Sequence, residues 1–309
     1  MLSRTAENLF WMARYLERAE STARLISMGQ RTAVVPGPAN RDEWRSVLRV
    51  TDSEAYADPQ RPVTEADVVR ILLLDAGNPG SIPACLVRAR TNARSVRTKL
   101  TQEMWEALNL SWRKLEGYGV AEAQEELPAL VDWVKTRASV FRGAAETGML
   151  RHEGYQFLKL GGAIERTQMT LRLLEVKYYA LLPETEVVGG GRDPFQWGSV
   201  LHAVSASRAF HHVYGGDYTP AKITDFLLAN RAFPRSVAFC ADQMAGFLEQ
   251  LAGAHERPVQ CLATLAEIAT LVEESRNGLV FRRGLHETAQ RGIFLVNRLG
   301  SEIAEAFHF

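Results

Sequence analysis

Three cysteines, Cys85, Cys240 and Cys261, are all that 309 residues contain, and no two of them form a CxxC pair. So sparse and odd a set gives neither a disulfide framework nor zinc-ligand spacing. It suits a reducing compartment, and a cytoplasmic location is expected. Net charge is also lacking, because 36 Lys plus Arg balance 36 Asp plus Glu. Without a global field, neither nucleic acid nor an acidic membrane is an expected partner, and recognition by charge has to be local. No run reaches the about 18 apolar residues of a membrane span. The opening stretch MLSRTAENLFWMARYLERAE carries charges where an export signal would stay apolar, so neither export nor membrane insertion is expected.

Catalytic signatures are scarce too. There is no GxSxG or HExxH, and the seven histidines form no ligand set. The one Glu-x-x-His spacing, Glu305 to His308, lies at the C-terminus and reads as a frayed tail rather than half of a di-iron site. Gly189-Gly190-Gly191 lacks the strand and GxGxxG context of a phosphate loop and reads as a connector. No metal and no cofactor are expected. Cys85 and Cys240 sit in apolar helix starts and read as packed thiols.

What the chain does contain is helical periodicity. Hydrophobic residues make up 46% and charged residues 23%, the balance of a compact globular protein. Spacings of three and four, rich in Ala, Leu, Arg and Glu, predict helices over about 3–34, 42–56, 64–75, 81–110, 123–148, 151–182, 195–212, 220–230, 234–252, 258–277 and 280–306. Asp58-Pro59, Asn78-Pro79-Gly80, Gly215-Gly216 and Phe233-Pro234 punctuate them.

The sequence also matches itself. Leu16-Glu17-Arg18 and Arg24-Leu25 return as Ile164-Glu165-Arg166 and Arg172-Leu173, 148 residues on. Trp44 and Ser46-Val47-Leu48 return as Trp197 and Ser199-Val200-Leu201 at an offset of 153, and the stretch from Thr64 to Cys85 returns as Thr219 to Cys240 at 155. The match fades beyond about residue 100. The expected fold is therefore an all-α bundle of two tandem, pseudo-twofold related helical units, 1–150 and 151–309, packed as one body.

At about 100° per residue, Phe10, Arg14, Glu17, Arg18 and Leu25 share one face of the first long helix. Leu158, Gly162, Glu165, Arg166 and Leu173 share the matching face of the second, where Gly161-Gly162 would admit a close neighbour. Two readings follow. Glu17, Arg18, Glu165 and Arg166 either form buried salt bridges that set the register of the two helices, or they floor a polar pocket for an anionic or peptide-like ligand. If the chain is an enzyme, Glu17 or Glu165 is the candidate general base, and it would need a raised pKa.

Together with NARSVR at Asn92 to Arg97, TQEMWEALN at Thr101 to Asn109 and FLLANRAFPRSVAFC at Phe226 to Cys240, the repeated Glu-Arg pair resembles the bacterial Alpha-E family over nearly the whole chain. That family is all-helical with an ER motif. Its members are typically encoded beside, or fused to, an ATP-grasp amide-ligase-like protein and a transglutaminase-like protein. The resemblance implies a part in a peptide-bond forming or peptide-modifying system, with those two proteins as partners.

One feature belongs to a single half. No acidic residue lies between Ala76 and Gln102, and Arg90, Arg94 and Arg97 project from one helix face beside Asn92. They are either a solvated face paired with acids such as Glu103 or those at 122–126, or a dock for carboxylate or phosphate. Arg235, opposite Gly80 in the repeat register, lies at a helix start and is a second candidate for an anion. The expected ligand-binding residues are thus Arg14, Arg18, Arg166, Arg90, Asn92, Arg94, Arg97 and Arg235. The expected role is a non-catalytic binding subunit. The alternative is an enzyme acting on a peptide or anionic small substrate at a Glu/Arg site between the halves.

Overall fold

The computed structural model describes residues 2–33, 43–111, 114–181, 193–253, 259–276, 280 and 284–309. The connector between the helices expected over 3–34 and 42–56, and the one at Gly189-Gly190-Gly191, lie outside these. Among the described residues there are fourteen α-helices and no strands. They are α1 (Ser3–Ala33), α2 (Glu43–Val50), α3 (Glu65–Val68), α4 (Ile82–Ser95), α5 (Gln102–Ser111), α6 (Val120–Glu125), α7 (Leu127–Gly148), α8 (Glu153–Leu181), α9 (Asp193–Ala203), α10 (Ser207–Tyr214), α11 (Pro220–Ala229), α12 (Val237–Leu251), α13 (Val259–Arg276) and α14 (Leu285–Ala306).

Helices α1 and α8 form the centre. Helix α1 packs against α8, α4, α7, α9 and α2, and α8 packs against α1, α12, α14, α2 and α9. Each is therefore wrapped on most sides, and both polar and apolar residues of α1 become buried, among them Leu9, Phe10, Glu17, Glu20 and Leu25. The helices run in the same sense, with Leu9 near Gly154, Phe10 near Gly161, and Glu17 bonded to Arg166. At Gly161 an added Cβ would lie 2.1 Å from the Phe10 carbonyl oxygen, whereas beside Gly162 there is open space. The close approach expected at the glycine pair thus belongs to Gly161 alone.

The outer helices are placed by their caps. The Ser81 hydroxyl accepts from Ala84 N and the Ser236 hydroxyl from Phe239 N, fixing the starts of α4 and α12. Helix α4 lies along α1 as α12 lies along α8, while α2 packs on α8 and α9 on α1.

Several helix bounds differ from expectation for local reasons. Residues 81–110 break at Val96 (φ −119°, ψ 27°), and Thr101 starts α5 by accepting from Met104 N at 3.2 Å. The helices expected over 42–56 and 195–212 stop at turns in which Asp52 (φ 53°) and Ser205 (φ 57°) take the left-handed conformation. The segment 64–75 divides into α3 and a π-turn over Val69–Leu74. The C-terminus is packed rather than frayed: Phe307 meets Phe157 and Phe309 meets Phe10, at ring-centroid distances of 4.9 and 5.4 Å.

Candidate functional site

The seam between α1 and α8 carries charge in a reciprocal arrangement. Arg18 donates through Nε and Nη2 to the two oxygens of Glu165, at 2.5 and 2.9 Å. Arg166 donates in the same manner to Glu17, at 3.1 and 2.8 Å. Each helix thus gives its arginine to the other's glutamate. Both glutamates are buried, and a bidentate fork is the geometry in which a guanidinium best satisfies a carboxylate away from water.

Further groups join each pair. On one side Arg235 reaches Glu17 and Glu20, both at 2.9 Å, from the turn before α12. Arg142 of α7 bonds both carboxylates as well, and Arg24 reaches Glu20 at 2.6 Å. On the other side Arg14 donates to Glu165 at 3.1 Å and to Gln168 at 3.4 Å, with its guanidinium over the Trp11 ring. Gln168 in turn donates to Asn297 of α14. Arg24 binds the carbonyl of Ala203 and the hydroxyl of Ser205, while Arg172 binds the carbonyl of Val50 and the carboxylate of Asp52.

The electrostatics follow from the count. Among the described residues, the six guanidiniums of Arg14, Arg18, Arg24, Arg142, Arg166 and Arg235 pair with the three carboxylates of Glu17, Glu20 and Glu165. Burial by itself raises the Glu17 carboxyl, but Arg166, Arg235 and Arg142 hold it well below the ordinary value. Burial likewise opposes ionisation of Glu165 and is overridden by Arg18 and Arg14. Burial and Glu17 both raise Glu20, and Arg235 and Arg142 bring it down. Despite burial, Arg18, Arg142 and Arg166 are raised by their glutamates, whereas desolvation lowers Arg235, with repulsion from Arg166 and Arg24 adding to that.

Space opens on both flanks of this seam. A cleft of about 200 Å³ is lined by Glu17, Arg142 and Arg166 with Phe141, Leu158 and Phe239. A second, of about 330 Å³, is lined by Arg18, Thr22, Asp52, Gly80, Glu165 and Arg172.

The structure therefore gathers Arg14, Glu17, Arg18, Glu165, Arg166 and Arg235 at one centre and leaves the rest of the expected residues apart from it. Arg235, expected at a helix start that favours anions, directs its guanidinium to Glu17 and Glu20 within the chain. Arg90 bonds Asn109 at 3.0 Å and lies over Trp105, Arg97 lies over the same ring, and Asn92 is half-buried. Arg94 and Arg97 are exposed, and among the described residues neither has a carboxylate in salt-bridge range, so Glu103 and the acids at 122–126 are not their partners. Sequence reasoning missed Glu20, Arg24, Arg142, Gln168, Arg172 and Asn297. The repeat register carried a signal for two of them, since Arg24 and Arg172 match at 148 residues.

Cys85, Cys240 and Cys261 are free and buried. Among the described residues no three His, Cys, Asp or Glu converge as a metal site, and no helix is long and apolar enough to cross a membrane.

A family model described as a predicted alpha-helical domain with a conserved ER motif matches residues 1–308. Uncharacterized proteins of Mycobacterium bovis and Mycobacterium tuberculosis are each 23% identical to this chain over 274 residues, covering 81% of it and 30% of their own length. The chain thus spans about a third of these curated relatives. No solved structure matches.

Proposed function

The chain belongs to the Alpha-E family, and from that premise we propose that it is a non-catalytic helical binding subunit of a peptide-modifying or amide-ligase system, acting with ATP-grasp-like and transglutaminase-like partners. The observation that carries this reading is the surplus of guanidiniums over carboxylates in the α1–α8 seam, with a cleft on either flank. Buried cations in excess favour an incoming anion, and the larger cleft, about 330 Å³, is of a size that holds a small ligand or the end of a peptide. The glutamates suit that role better than catalysis. A general base working near neutral pH needs a raised pKa, and Glu17 and Glu165 are both pushed down by the arginines that saturate them.

A tandem duplication is part of the same proposal. It is supported by contacts that recur at the sequence offsets: Arg18 to Glu165 against Arg166 to Glu17, and Cys85 to the Pro79 carbonyl against Cys240 to the Pro234 carbonyl. The exposed Arg94 and Arg97 supply the dock for an acidic patch on a partner. The greater length of the mycobacterial relatives suits a module that works alongside other domains.

The test is reconstitution of the purified chain with an ATP-grasp-like and a transglutaminase-like protein encoded with it, with and without nucleotide. Association is expected. It should weaken at least tenfold, and in a salt-sensitive way, when Arg94 and Arg97 are both replaced by Gln. The chain alone should form no amide product. Product from the chain alone, or no association with either protein, would overturn the proposal.

A further inference from the structure

The two flanks of the seam are built alike and finished differently, and the difference leaves a space with donors around it. Glu20, Arg142 and Arg235 on one flank stand 148, 155 and 155 residues from Gln168, Asn297 and Gly80 on the other. On the first flank Arg235 lies between Glu17 and Glu20 and bonds both, and Arg142 bonds the same two carboxylates. On the second flank the carboxylate is an amide, Gln168, bonded to another amide, Asn297, and the residue at the turn is a glycine with no side chain. The volume occupied by Arg235 on one flank is open cleft on the other, about 330 Å³ bounded by Gly80.

Three donors face that cleft with capacity left over. Arg18 uses Nε and Nη2 on Glu165, which leaves Nη1. Arg172 uses Nη1 on Val50 and Asp52, which leaves Nε and Nη2. The Thr22 hydroxyl is fully buried and has no partner, whereas Thr170, 148 residues on, donates to the Arg235 carbonyl at 2.7 Å. Of the buried side-chain atoms without a partner among the described residues, the Thr22 hydroxyl is the one whose residue lines this cleft, where a bonding group on a ligand would satisfy it. Near the cleft, the three cations Arg14, Arg18 and Arg172 stand against the two anions Glu165 and Asp52, a surplus of one positive charge. The cleft also adjoins a second cavity of about 220 Å³ that shares Val50, Asp52 and Arg172 with it, which gives an anchored ligand room to extend.

We propose that this cleft binds the carboxylate of a peptide or amino-acid-like ligand, received by Arg18, Arg172 and the Thr22 hydroxyl, with the rest of the ligand running past the Arg172–Asp52 pair. A monoanion balances the single surplus charge, and a planar carboxylate fits guanidinium donors. The site rests on the binding-subunit reading and gives it a substrate class.

Calorimetric titration of the full chain at low ionic strength with trialanine, trialanine amide and inorganic phosphate tests the site without any partner protein. Trialanine is expected to bind, with the amide and phosphate at least tenfold weaker. Arg172→Gln should weaken trialanine at least tenfold and Thr22→Val about threefold, while Lys222→Gln, on α11 in a pair with Asp217 and outside the lining of both cavities, leaves it unchanged. Circular dichroism establishes that each variant is folded, and Thr22→Val, which keeps the side-chain shape, decides the matter if Arg172→Gln is not. No binding of trialanine, equal binding of its amide, or tighter binding of phosphate would overturn the carboxylate site. Partner association is a separate readout, so the site can fail while the subunit reading stands.

Discussion

Glu17 has three guanidiniums within bonding distance and almost no contact with water, so its charge is fixed by its neighbours. Replacing both members of a buried ion pair with apolar groups can be nearly neutral, but removing one leaves the others desolvated and unpaired, at a cost of about 3–5 kcal/mol. Glu17→Gln should therefore lower unfolding free energy by about that amount in urea titrations, whereas Glu54→Gln, at a surface pair, should change it by less than about 1 kcal/mol. The same pairing sets a pH dependence. The carboxyls of Glu17, Glu20 and Glu165 are lowered in the folded state, so the stability they contribute is present above the ordinary carboxylate value of about 4.3. It is lost as pH falls through the lower folded-state values. Melting temperature should hold steady from neutral pH to about pH 5 and then fall, with a shallower fall in Glu17→Gln. The thiols behave in the opposite sense. Burial pushes Cys85 and Cys261 up to about 12 and Cys240 upward as well, so none should react with a thiol reagent at pH 8 until the protein unfolds.

At the level of the helix, adjacent glycines of α8 have opposite consequences. An alanine at 161 would drive its Cβ into the Phe10 carbonyl, a backbone atom that cannot move aside without separating α1 from α8. Gly161→Ala should destabilise by about 1–3 kcal/mol or more. Gly162 faces open space, so Gly162→Ala should gain up to about 1 kcal/mol from helix propensity, and thermal melts of the two variants should shift in opposite directions. The long helices and their charged faces were legible in the sequence, because Glu17, Arg18, Glu165 and Arg166 recur on apolar stripes. The break at Val96 was not, since neither Pro nor Gly marks it; the only local cue is Thr101, placed to cap Met104. Nor did any residue announce the π-turn over Val69–Leu74.

For the molecule as a whole, what escaped the sequence is the part of the site assembled from distant elements. Arg142 arrives from α7, 125 residues from Glu17 and beyond the stretch where the chain matches itself, and Asn297, 155 residues on, shares no chemistry with it. Only the packing of α7 on α1 and of α14 on α8 puts those two positions in equivalent places. The reciprocal Glu-Arg core was readable from repetition, whereas the asymmetry that puts Arg235 on one flank and open space beside Gly80 on the other needed the fold. A binding subunit with partner-facing arginines at Arg94 and Arg97 should lose partner affinity steeply as salt rises, because exposed charge pairs are screened over about 8–10 Å. The charge state of the buried glutamates decides between a saturated ion-pair seam and a general base. Carbon-13 NMR titration of labelled Glu side chains, with Glu17→Gln and Glu165→Gln assigning the two signals, should show both carboxyls ionised from neutral pH down past about 4.3. Titration of either one near or above neutral pH would contradict it and restore the general base.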